Sequence, residues 1–312
     1  MSKGSTIQGY VERQLKRLRA NLAEALSTGD VEAVHQLRVT SRRLEEPLEV
    51  CRPLAGGKEP ARAARRLKRA RRAFRLVREL DVLVGSLTGP PGSRPTAEQE
   101  RMAAELAGAR AAQFRRAQKK AAAFRLEMLE RWFERILARC ASVAGSEVAW
   151  GPARLRELVS DRAAKVLDDD PAGAGQADLH RTRLGLKRLR YALELRNAVS
   201  GDDCADLMRQ FKAGQDRLGD WNDQLQAARH LTRIARRRQI LVQQPDFAAA
   251  ALTHAAGRLR RSQELAETFR AEWAGFNRVV RELAAGPSRG EAGAAPCPPA
   301  QAALMLSDGE DT

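Results

Sequence analysis

Apolar residues return at steps of three and four along nearly the whole chain, and the two-residue alternation of strands is almost absent. Ile7, Val11, Leu15, Leu18 and Leu22 mark one face of a helix over residues 6–27. Asp30 is placed to cap a second helix reaching residue 54, which Pro47 should kink. Pro60 suits the first turn of a third, over residues 60–87. After the loop TGPPGSRP the pattern runs from 96 to 144 and predicts one long, bent helix. Gly151-Pro152 opens the next helix, to residue 167; the linker DDDPAGAG follows, then helices over 177–199, 203–240 and 246–285. Residues 287–312 have the composition of disorder and turn acidic at their end. The expectation is an all-α chain with a four-helix half at 1–148, a second at 149–286 and a disordered tail at 287–312.

The two halves are related. His35-Gln36-Leu37-Arg38-Val39-Thr40-Ser41-Arg42-Arg43-Leu44 finds its counterpart in His180-Arg181-Thr182-Arg183-Leu184-Gly185-Leu186-Lys187-Arg188-Leu189, at an offset of 145 residues. Arg65-x-x-Lys68 answers Arg209-x-x-Lys212 at an offset of 144, and residues 74–79 answer 218–223 at the same offset. Two matches at nearly one offset indicate a duplicated unit, with a two-fold-like arrangement expected.

The repeat carries its chemistry on helix faces. At ~100° per residue, Arg38 and Arg42 lie about 300° and 340° around from His35, so the three share roughly one-sixth of the circumference. His180, Arg183 and Lys187 do the same. Arg65, Lys68, Arg72 and Arg75 fall within about 80° of one another on the following helix. Residues 61–78 carry nine basic side chains and no acidic one. Like charges at this spacing repel, so such a stripe is a standing penalty unless an anion meets it. A solvated basic face is the plain alternative; recurrence of the same residue types in both halves argues against it. The paired histidines fit either ligand contact or packing in a core. They make poor metal ligands, because cations rather than carboxylates stand beside them, and no metal or cofactor is expected. His230 and His254 have no partner in the repeat and take no role.

Charge sharpens this picture. Lys+Arg 55 against Asp+Glu 39 gives a net charge of +16 and a pI near 10.7. With 9 Lys, the basic residues are overwhelmingly Arg, whose planar fork of donors suits phosphate oxygens, although a GC-rich genome yields the same bias. Aromatics at 4% are too few for a base-stacking platform. Cys51, Cys140, Cys204 and Cys297 are far apart, with no C-x-x-C pair, which points to a reducing compartment. No signal-type or membrane-spanning apolar run is present, so a cytoplasmic protein without a membrane partner is expected.

The motifs VHQLRVTSRRL and LHRTRLGLKRLRYALEL, followed by RLVRELDVLV and DRLGDWNDQL, resemble the two halves of the CHAD domain, the conserved histidine α-helical domain. The resemblance spans roughly residues 6–285. It implies two four-helix bundles related by pseudo-two-fold symmetry, with a basic central groove or pore that binds inorganic polyphosphate, and association with polyphosphate granules. Carried over residue by residue, it implies a polyphosphate-binding set of His35, Arg38, Arg42 and Arg43 with His180, Arg183, Lys187 and Arg188. Arg65, Lys68, Arg72, Arg209 and Lys212 complete the lining from the third helices. The chain departs from the family pattern at Glu79, where Asp is usual, at Arg75, where Gly is usual, and at Glu45-Glu46-Pro47, which interrupts a basic and apolar segment. No E-x-E-x-K motif of the triphosphate-tunnel enzymes appears.

The expected function is therefore non-catalytic polyanion binding. A nucleic-acid-binding protein is the rival that the charge permits, but no helix-turn-helix, zinc-finger or aromatic signature supports it. A phosphohydrolase would need clustered carboxylates near the histidines, and Asp168-Asp169-Asp170 sits in a turn-rich linker instead. A protein attached to polyhydroxyalkanoate storage granules through Ala- and Leu-rich faces is a further alternative. Glu79 and Asp223 are expected to orient neighbouring arginines. If about six to eight phosphates are contacted, raising salt from 50 to 200 mM should weaken polyphosphate binding on the order of a thousandfold or more. Titration at a series of salt concentrations measures this, and a salt-insensitive complex would contradict it.

Overall fold

The computed structural model describes residues 6–88, 94–144, 147–169, 175–201 and 205–286. Among these residues every regular element is a helix: α1 (Ile7–Ser27), α2 (Val31–Arg43), α3 (Glu45–Ala55), α4 (Glu59–Ala73), α5 (Arg75–Thr88), α6 (Ala97–Ala121), α7 (Leu126–Ala144), α8 (Glu147–Leu167), α9 (Gln176–Ser200), α10 (Ala205–Ala235), α11 (Arg238–Gln243) and α12 (Pro245–Ala285). None of them is long and apolar enough to cross a membrane. The expectations for the tail at 287–312 and for the centres of the loop after α5 and the linker before α9 lie outside the described residues.

Several expected helices are divided. The segment 30–54 is two helices broken at Leu44, three residues before the proline expected to kink it. Pro47 lacks an N–H, and its ring collides with the carbonyl four residues back, that of Arg43, where α2 ends. The segment 60–87 divides at Phe74, which is fully buried, although neither glycine nor proline marks the site. The segment 96–144 divides after Ala121, where the Phe124 N–H turns back to the Ala121 carbonyl. The segment 203–240 divides into α10 and α11. In the other direction, α8 starts four residues ahead of Gly151 and carries Pro152 within it; the Glu147 carboxylate at its start accepts from the Ile7 and Gln8 backbone N–H groups.

Two compact units result, one of residues 11–143 with 219–265 and one of residues to 10, 144–218 and from 266 onward. Helices α1, α10 and α12 each contribute residues to both units. In the first unit α2 packs on α3, α4 and α5, and α5 on α6. Leu80, Leu83 and Leu87 of α5 meet Met102 and Leu106 of α6 and Leu231 of α10 in one apolar cluster. The stripe read from α1 is largely interior: Ile7, Val11, Leu18 and Leu22 are buried. On α4, Pro60, Ala63, Leu67 and Ala70 bury one narrow face and leave the arginines on the rest of the circumference. In the second unit α8 lies against α9, and Gly185 allows the approach, since a Cβ there would stand 3.0 Å from the Val166 side chain.

The turn that sets the start of α2 is the most constrained joint in the first unit. Gly29 has φ +68, and a Cβ would meet the Phe114 ring at 2.8 Å. Arg110 donates to the Gly29 carbonyl and to the fully buried Asp81 carboxylate, while Gln118 donates to the Leu26 carbonyl at 2.8 Å. Asp30 then caps α2 by accepting from the Ala33 N–H at 2.7 Å. Burial raises Asp81 above the ordinary carboxylate range, and Arg110 works against that rise. Gly29→Ala should cost about 1–2 kcal/mol from the left-handed backbone alone, more once Phe114 shifts. Denaturant unfolding checks this, and an unchanged midpoint would contradict it.

Candidate functional site

The expected cations stand on α2 and α4 in one unit and on α9 and α10 in the other. In the first unit His35, Arg38, Arg42 and Arg43 are half-buried on α2, while Arg65, Lys68 and Arg72 are exposed on α4. In the second, His180 and Arg188 are exposed and Arg183 and Lys187 half-buried on α9, with Arg209 and Lys212 exposed on α10. Lys212 has Asp216 at 3.5 Å as a solvent-exposed partner, a contact of little energetic weight. Among the described residues Arg42, Arg65, Lys68, Arg72 and Arg188 form no ion pair with a carboxylate.

Arg38 is used differently. Its guanidinium is sunk between α2 and α4 and donates to the Arg71 carbonyl at 2.5 Å. Burial, then the neighbouring charges of Arg42 and Arg71, pull its pKa down to about 10, with Glu79 opposing and Arg78 adding to the fall. Arg71 returns the contact: it donates to the Ser41 carbonyl at 3.2 Å and pairs with Glu45 at 2.6 Å. Ser41 and Arg71 lie in the last turns of α2 and α4, whose terminal carbonyls have no partner within their own helix. Each arginine therefore fills a vacancy that the broken helix creates, at the end where the helix dipole favours positive charge. Glu45, one of the acidic residues interrupting the first stripe, is taken up by Arg71.

The second unit holds one side-chain-to-backbone bond at matching positions, although α9 is unbroken there. Gln215, 144 residues after Arg71, donates to the Leu186 carbonyl at 2.8 Å, and Leu186 is 145 residues after Ser41. The duplication read from the sequence thus extends to a matching side-chain-to-backbone bond inside each unit.

Beside Arg38 stands a group that the repeat did not reveal. The Glu79 carboxylate lies 3.3 Å from Arg75 Nη1 and 3.6 Å from His230 Nε2. Arg233 Nη1 is 3.4 Å from the other ring nitrogen, Nδ1. The His230 ring thus stands between the Arg233 guanidinium and the Glu79 carboxylate. Burial pushes Glu79 upward, but His230, Arg75 and Arg38 outweigh it and hold the carboxyl below its ordinary range. The repeat does not mark His230, since the position 144 residues earlier is Ser86; its signal is spatial only. Among the described residues no group of three or more His, Cys, Asp and Glu side chains is arranged to hold a metal ion.

Comparison with known proteins follows the same lines. Residues 9–232 match the family described as the CHAD domain. The fold is similar to the crystal structure of the CHAD domain from the plant Ricinus communis, with a TM-score of 0.61, 20% identity and coverage of 92% of this chain and 93% of that one. It is also similar to PptA from Streptomyces chartreusis, with a TM-score of 0.53, 20% identity and coverage of 86% and 98%. No curated protein matches the sequence.

The repeated joint makes a prediction about Arg71. Arg71→Ala removes a donor from the Ser41 carbonyl and should cost about 1–2 kcal/mol. Arg71→Gln, which installs the second unit's solution, should recover at least half of that loss in denaturant unfolding. Equal losses in the two variants would show that the joints are not equivalent.

Proposed function

This chain belongs to the CHAD domain family, and on that premise we propose that it binds inorganic polyphosphate without catalysing a reaction. Association of CHAD proteins with polyphosphate supports the ligand. The observation that carries the reading is the set of cations without carboxylate partners, Arg42, Arg65, Lys68 and Arg72 in one unit and Arg188 in the other, on helix faces whose apolar sides are buried.

Rigid helices hold these charges at regular intervals, which suits a linear anion charged at every phosphoryl unit. Arginine supplies forked hydrogen bonds to phosphate oxygens, and lysine supplies a compact point charge. Affinity comes from the release of counterions from the polyanion as successive cations neutralise it. Arg38, committed to a backbone carbonyl, contributes field more than direct contact. His35 and His180 stand at the head of each stripe, where an imidazole can donate to a phosphate oxygen. Attachment to polyphosphate granules would follow from the same affinity.

Two variants separate the units: Arg42→Gln/Lys68→Gln/Arg72→Gln, and Lys187→Gln/Arg188→Gln/Lys212→Gln. Charge-assisted bonds of ~1.5–3 kcal/mol predict that each triple variant loses about tenfold or more in affinity for long-chain polyphosphate by titration calorimetry. Wild-type affinity in both variants would remove the site assignment. Displacement of bound polyphosphate by DNA at equal charge concentration would favour nucleic acid as the ligand.

A further inference from the structure

The exposed stripe and the Arg38 cluster differ in one respect: the cluster already contains an anion. Arg38, Arg75, Arg78, His230 and Arg233 come from three helices, α2, α5 and α10, and Arg42 and Arg71 add their fields to Arg38. The carboxylate among them is Glu79, which touches Arg75 and His230 and acts on Arg38. His230 is itself nearly enclosed, with a tenth of its side chain exposed, and its Nε2 stands 3.6 Å from the Glu79 carboxylate. Two further carboxylates lie close by: Glu45 is engaged by Arg71, and Asp81, which feels Arg78, is engaged by Arg110.

We infer that Glu79, positioned by His230, is a resident anion that closes the Arg38–Arg75 cluster to small phosphates and leaves binding to the exposed stripe, so that the protein selects long polyanions over short ones. This rests on the polyanion reading of the stripe. A tethered carboxylate competes at a high effective concentration, which a single phosphate or pyrophosphate with few other contacts cannot match. A long chain does not need the cluster, because it draws on Arg42, Arg65, Lys68 and Arg72 in succession. Selectivity then arises from exclusion of the wrong ligand as much as from attraction of the right one. Glu79 remains ionised through neutral pH, since its surroundings hold its pKa below the ordinary carboxylate range.

The test is titration calorimetry of wild type and Glu79→Gln with two probes, inorganic pyrophosphate and long-chain polyphosphate, after circular dichroism has confirmed matching helix content. Opening a cluster able to form charge-assisted bonds should raise pyrophosphate affinity about tenfold or more, with a clearly smaller change for the long chain. Should Glu79→Gln not fold, His230→Gln carries the same comparison, with the same direction and a smaller gain. Unchanged or weakened pyrophosphate binding would overturn the inference, as a carboxylate that merely orients arginines predicts. Equal gains for both probes would also overturn it, since general removal of negative charge then suffices. A wild type that binds neither probe overturns this inference and the polyphosphate reading together, whereas long-chain binding with an unchanged preference overturns this inference alone.

Discussion

Arginines crowded onto helix ends with few acids between them form the constraint on which the first unit depends. Unit charges a few ångströms apart near a protein surface repel by a few kcal/mol. Here the depressed pKa of Arg38 registers burial and that repulsion together. The fold tolerates it because α2 and α4 stop early, at Arg43 and Ala73, and present carbonyls that Arg38 and Arg71 fill. Helix termination and cation storage are thus one device: the break supplies acceptors, and the arginines supply the charge that the C-terminal dipoles favour. Glu45 and Glu79 neutralise part of this charge by pairing with Arg71 and Arg75.

The second unit reaches a related end with less machinery. Its helices α9 and α10 run unbroken through the positions that match the breaks, Leu189 for Leu44 and Leu218 for Phe74. Where the first unit uses charged Arg71, the second uses neutral Gln215 to reach the corresponding carbonyl. Close packing of α8 on α9 at Gly185 sets the base from which His180, Arg183 and Lys187 extend. The copies share a side-chain-to-backbone bond between the stripe helix and the following helix, made by Arg71 in one and Gln215 in the other.

Much of this was legible in the chain. The three-and-four spacing marked the helical regions, Asp30 marked a start that the structure caps as expected, and the doubled histidine motif identified the repeat; the capping box at Thr96 was not expected. Element boundaries were less legible where the cause was tertiary. The break at Phe74 has no local signal, because it comes with burial of the ring and with the Arg71 carbonyl taken up by Arg38 of α2. Pro47 did signal an interruption, but its steric effect falls four residues back, so the break appears at Leu44. Of the expected ligands, sequence spacing put Arg38 on the same face as Arg42 without showing that it is sunk and engaged. His230 was invisible for a different reason: it comes from α10, far along the chain, and meets Glu79 only after folding.

Only 9 lysines occur in the chain, so lysine acetylation read by mass spectrometry, with and without long-chain polyphosphate, addresses the central claim most directly. Polyanion bound along the two faces should slow labelling of Lys68, Lys187 and Lys212 and leave the exposed Lys16, Lys119 and Lys120 unchanged. Uniform slowing across all six, or none at the first three, would contradict the account.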